Sequence, residues 1–128
     1  MPRAYTAATI ALVLRVPTKW VDNVLSHNVL SDVRQGTQGV SREIGTRGLL
    51  ELFTAKSLCD FLEVPLPAAI RLSRRLLDAG QEAAGSHLLL TLNRERQAGE
   101  IAARLEYAVE AAPLPKRGRP PTKTKRGA

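Results

Sequence analysis

Pro17 is the residue that most restricts what this chain can become. Thr6 can cap a short helix reaching Leu14, with Ala8, Ala11, Ile10, Val13 and Leu14 on its apolar side. Arg15-Val16-Pro17 ends that helix, because proline has no N–H to continue the ladder and its ring clashes with the preceding turn. Thr18 is placed to cap a second helix over residues 19–27, where Trp20, Val21, Val24 and Leu25 fall at helical spacing. Lys19, Asp22, Asn23, Ser26 and His27 are left for its other side. Two short helices parted by a three-residue break form a helix-turn-helix pattern.

The period then changes. Residues 31–44 carry Gly36 and Gly39 between Asp32-Val33-Arg34 and an alternating arm, Val40-Ser41-Arg42-Glu43-Ile44, which predicts a β-hairpin with a glycine-rich tip. Arg34, Gln35, Thr37, Gln38 and Arg42 stand on or beside that tip, so the hairpin is a candidate wing able to touch a sugar-phosphate backbone. Thr46 can cap a longer helix over residues 47–62, with Leu49, Leu50, Phe53, Leu58, Phe61 and Leu62 expected to bury one full face. After a turn at residues 63–66, Pro67 suits the first position of a fourth helix that Gly80 stops. Ile70, Leu76 and Leu77 should pack inward there while Arg71, Arg74 and Arg75 stay wet. Residues 80–85 read as a loop and residues 86–93 as a strand, around the run His87-Leu88-Leu89-Leu90-Thr91-Leu92. A last helix spans residues 98–112, with Ile101, Leu105, Ala108, Val109 and Ala112 on a side that needs cover, from the body or from a second copy. Pro113 and Pro115 end it.

Charge separates the tail from the body. Residues 1–80 carry a net +3 and residues 81–112 a net −2, while residues 113–128 supply +6 with no acidic group. The total of +7 implies a polyanionic partner. In the tail, Lys116 leads into Arg117-Gly118-Arg119-Pro120, a ribbon whose central glycine lets it lie flat in a narrow groove. The minor groove of A·T-rich duplex is narrow, strongly negative and attractive to inserted arginine. This segment resembles the AT-hook, whose core is the same Arg-Gly-Arg-Pro, and the resemblance implies that Arg117 and Arg119 run along an A·T-rich minor-groove floor.

A second resemblance covers residues 5–77. Tyr5-Thr6 before the first helix, the Val16-Pro17-Thr18-Lys19 turn, Gly39-Val40-Ser41-Arg42 in the wing, and Leu66-Pro67 opening the fourth helix resemble the winged helix-turn-helix of the MerR family of transcription regulators. That resemblance implies a DNA-binding fold and dimerisation. Where the family usually places an Arg-Tyr-Tyr cluster after the turn, this chain has Asp22-Asn23-Val24, so only Lys19 matches a basic family position.

Lys19, Asn23 and His27 recur at i, i+4 and i+8, which aims three polar side chains at base edges if their helix enters a major groove. His27 and His87 have no chelating neighbours in sequence, so neither a metal nor another cofactor is expected. The lone Cys59, set among Leu58, Phe61 and Leu62, reads as a small buried apolar group. No paired carboxylates or phosphate loop suggests an enzyme. The expected fold class is mainly α: a winged helix-turn-helix with a small β-hairpin wing over residues 1–80, a strand–helix extension over 81–112 that can serve dimerisation, and a disordered basic tail over 113–128. The expected partner is double-stranded DNA, A·T-rich at the tail and read through Thr18, Lys19, Asn23 and His27, with the chain a homodimer in the cytoplasm, at the nucleoid. No membrane span or secretory signal is predicted. The competing expectation is a protein-interaction adaptor docking through residues 98–112, with a generic basic tail.

Overall fold

The computed structural model of the chain describes residues 4–34 and 42–111. Its elements run β1 (Ala4–Tyr5), α1 (Ala7–Leu14), α2 (Thr18–His27), β2 (Val33–Arg34), β3 (Glu43–Gly45), α3 (Thr46–Leu62), α4 (Leu66–Ala79), β4 (Gln81–Ala84), β5 (Leu88–Thr91) and α5 (Arg94–Ala111). The described residues are mainly helical, with small antiparallel sheets. None of their helices is long and apolar enough to cross a membrane.

The break at Pro17 is built as the sequence requires. Thr6 caps α1, its hydroxyl oxygen accepting the Thr9 N–H at 3.2 Å. Arg15 then turns left-handed (φ 61°), and the Val16 N–H reaches the Ala11 carbonyl at 3.0 Å, closing the last turn before the proline. The helices that follow are capped differently from expectation. Thr18 and Thr46 are first helical residues, not caps, and the cap positions fall to Pro17 and Gly45, which offer no side-chain bond. At Gly45 the reason is steric: a Cβ there would overlap the Asp32 carboxylate, which folds over the start of α3 and accepts the Arg47 N–H at 3.3 Å.

Ile10 and Val13 of α1, Val21 of α2, Ile44 of β3, and Leu49 and Leu52 of α3 are fully buried and form the centre of the core. β3 is the middle strand of a three-stranded sheet ordered β1-β3-β2, with Tyr5 and Val33 both opposite Ile44 and Arg34 opposite Glu43. The arms of the expected hairpin are therefore present as β2 and β3. Its tip, with Gln35, Thr37 and Gln38, lies outside the described residues, as does the tail with Lys116, Arg117, Gly118, Arg119 and Pro120. β1 was not anticipated, since two residues are too few to show a period and their partner lies some forty residues on.

Four further expectations are corrected. Residues 81–84, read as loop, are β4, which pairs with β5 from Gln81 opposite Thr91 to Ala84 opposite Leu88. Gly80 makes this hairpin possible, because its left-handed backbone (φ 82°) ends α4 and redirects the chain at once. Helix α5 starts at Arg94, a turn before Ala98, and Asn93 caps it by accepting the Arg96 N–H at 3.0 Å. Phe61 and Leu62 are not part of the buried face of α3: Phe61 is 81% exposed, because the last turn of α3 overhangs the core. Arg74 is not wet but half-buried and ion-paired. Part of the apolar side of α5 is covered by the body, with Ile101 and Ala108 buried, Leu105 packed on the core and Arg104 donating to the Val13 carbonyl of α1 at 2.8 Å.

Candidate functional site

Three of the four sequence-chosen residues of α2 come together on one side. Val21, Val24 and Leu25 are buried, which fixes the rotation of the helix and leaves Lys19, Asn23 and His27 exposed on one outer face, while Thr18 is exposed at the helix start, half a turn round the axis from His27. At 1.5 Å rise per residue, Lys19 and His27 lie roughly 12 Å apart along the axis, comparable with the width of a B-DNA major groove. The His27 Nδ1 donates to the Asn23 carbonyl at 2.9 Å, so the ring is held against its own helix.

Arg42 joins the hairpin arm to this face. Its guanidinium donates to the Asp22 carbonyl at 3.2 Å and to the Ser26 hydroxyl at 3.1 Å, and stands 3.6 Å from the Asp22 carboxylate. Its charge is therefore shared with α2. Arg34, on β2, is exposed and pairs with Glu43 across the strands at 3.2 Å. The link of Asp22 and Ser26 to Arg42 was not read from the sequence, since nothing in the spacing of residues 22, 26 and 42 joins a helix to a strand twenty residues away.

The orientation of this unit depends on a buried carboxylate that sequence reasoning also missed. Glu51 of α3 is fully buried; it accepts the Ser31 N–H at 2.9 Å and the Arg47 Nε–H at 3.0 Å, and lies 3.6 Å from the Arg74 Nε of α4. Arg47 reaches on to Asp78 at 2.8 Å, and Arg74 donates to the Val29 carbonyl. The segment between α2 and β2 is thereby tied to α3 and α4 through two backbone groups, Ser31 N–H and Val29 C=O. Burial alone would raise the Glu51 carboxyl, but the Ser31 N–H, Arg47 and the Arg74 charge outweigh it and hold the group below its ordinary 4.5. An i, i+4 Arg–Glu pair was visible in the sequence as Arg47 and Glu51, though it looks like any solvated helix pair.

Cys59 lies among partly buried apolar residues, and its thiol is pushed up by burial and then by the Asp60 charge, which disfavours the nucleophilic thiolate. Among the described residues no group of three or more His, Cys, Asp or Glu is placed to hold a metal ion. What the arrangement offers chemically is hydrogen-bond donors and acceptors on a rigidly oriented short helix, with a cation-rich segment in the same chain. Compared with family models, with curated proteins and with solved structures, the chain matches none, so the functional reading rests on its residues and geometry.

Proposed function

We propose that this protein binds double-stranded DNA as a winged helix-turn-helix unit, with α2 in the major groove, the hairpin between β2 and β3 against the backbone, and residues 116–120 in a neighbouring A·T-rich minor groove. One observation carries the reading: the buried Val21, Val24 and Leu25 leave Lys19, Asn23 and His27 together on the outer face of a short helix that follows a tight turn, with Thr18 exposed at its start. Asn23 can pair bidentately with adenine, which discriminates by about 1–3 kcal/mol, whereas Lys19 serves phosphate or guanine. Thr18 sits in the first turn of α2, where N–H groups without a side-chain cap suit a phosphate oxygen. Arg42 braces the hairpin on the reading helix, and Arg34 is the nearer cation for a phosphate. Tail and body joined in one chain gain affinity through effective concentration. A small transcription regulator or an architectural, nucleoid-associated factor would use DNA in this way.

The adaptor reading has less support, since part of the apolar side of α5 that it would dock through is already packed on α1 and the core. Fluorescence anisotropy on A·T-rich and G·C-rich duplexes tests the proposal. Asn23→Ala is expected to flatten preference among sequences, and Lys19→Ala to weaken all duplexes alike. Equal affinity of both variants and the parent for every duplex, or no binding by the parent at low salt, would reject it.

A further inference from the structure

Among the described residues, the last turn of α3 and the hairpin β4–β5 leave an apolar surface uncovered. Phe61 and Leu62 overhang a groove of about 330 Å³ floored by Leu58, Leu76, Leu90 and Leu92. Leu88 continues the Leu90–Leu92 side of β5 past the body and is 59% exposed, while Leu89, on the opposite side, is 60% exposed. Among the described residues β5 pairs only with β4, so its other edge presents open backbone N–H and C=O groups. Natural edge strands are guarded by charge, proline or a bulge, yet residues 86–92 hold no Asp, Glu, Lys, Arg or Pro. Phe61, Leu62 and Leu88 leave on the order of 350 Å² bare on one side and Leu89 about 100 Å² on the other, within the range of the largest patch of an ordinary monomer.

The remaining parts of the chain do not fit this surface. Outside the described residues the large apolar side chains are Met1, Val40 and Leu114 alone. Residues 113–128 carry six cationic side chains, and four of these residues are prolines that cannot donate to a strand edge. A second copy fits. An edge strand without charge can pair antiparallel with itself about a two-fold axis, placing leucines against leucines on both sides of the joined sheet. Charge does not oppose this, because residues 1–112 carry a net +1 while the +6 of the tail lies elsewhere in sequence. Two such patches bury roughly 900 Å² of apolar surface, and pairing of the strand backbones brings the total near the lower bound of about 1,200 Å² for a specific interface.

We infer that the chain forms a two-fold homodimer through β5 edge pairing, sealed by Leu88, Leu89, Phe61 and Leu62. The inference does not depend on the DNA reading and is tested without DNA, by sedimentation velocity of the full chain at about 50 µM, a concentration suited to micromolar self-association. The expected species has twice the 13.9 kDa chain mass. Leu88→Lys with Leu89→Lys should weaken dimerisation at least about tenfold, since like charges would face each other across the strands. Helical circular dichroism of this variant should be unchanged, because both side chains lie outside the core. Phe61→Lys, on a different element, should act in the same direction and guards against misfolding of the hairpin variant. Tyr107→Lys, exposed on α5, should leave the dimer intact. A monomeric parent at this concentration, or dimer mass retained by both the leucine and the Phe61 variants, would overturn the interface.

Discussion

At the scale of single residues, Gly45 and Glu51 govern how the β2–β3 arms meet the helices. Alanine at position 45 would drive its Cβ into the Asp32 carboxylate, displacing the group that caps α3. Gly45→Ala is therefore expected to destabilise the fold by about 2 kcal/mol, a fall of roughly 10 °C in Tm by differential scanning calorimetry. Glu51 sets the response to acid. Its folded carboxyl titrates below the ordinary value, so its contribution is fully present above about 4.5 and is lost as pH falls through the lower folded value. Replacement by Gln leaves Arg47 and Arg74 facing a neutral group, and urea unfolding at pH 7 should show a loss of about 2 kcal/mol. The gap between parent and Glu51→Gln should narrow as the pH falls below the ordinary carboxylate value and through the lower folded one, because the parent then protonates the same oxygen pair. A gap independent of pH would mean that the carboxylate's charge contributes nothing.

At the scale of elements, α5 is held by more than its apolar stripe. Arg104 donates to the Val13 carbonyl in the last turn of α1, where a cation also complements the helix dipole, and its guanidinium stacks 5.1 Å above the Phe53 ring. At the other end of α5, Gln97 donates to the buried Thr54 hydroxyl at 2.7 Å. Arg104→Ala should loosen the C-terminal half of α5 without unfolding α3 or α4. Hydrogen exchange is expected to speed up by about tenfold at amides of α5, corresponding to about 1.4 kcal/mol, with little change in α3. Uniform loss of protection across the molecule would show that α5 opens only with the whole fold. The bracing of β3 on α2 by Arg42 is a second inter-element tie, and it gives the proposed reading helix its fixed relation to the hairpin.

At the scale of the whole molecule, charge and fold are divided between segments. The described body is nearly neutral in sequence, and the +6 of residues 113–128 supplies most of the net charge. If DNA is the ligand, removing residues 113–128 should reduce the slope of log affinity against log salt by about 0.9 for each phosphate that the tail neutralises, and abolish preference for A·T-rich duplex. Binding titrations at several salt concentrations would measure both. An unaltered slope and preference would exclude the tail from the interface, whatever α2 does.

Sequence alone determined the local features. Thr6, Pro17, Pro67 and Gly80 mark helix ends because caps, missing N–H groups and left-handed backbone are properties of single residues and near neighbours. The buried side of α2, and hence its outward Lys19, Asn23 and His27, followed from a 3.6-residue period that is equally local. Only the tertiary structure decided that β1 joins β3, that residues 81–84 form a strand, that Phe61 overhangs the core and that Arg42 turns toward Asp22 and Ser26. It also decided that Glu51 and Arg74, separated by more than twenty residues, share one buried cluster. These are pairings between segments far apart in the chain, and their energies arise from burial and approach that no periodicity within either segment encodes.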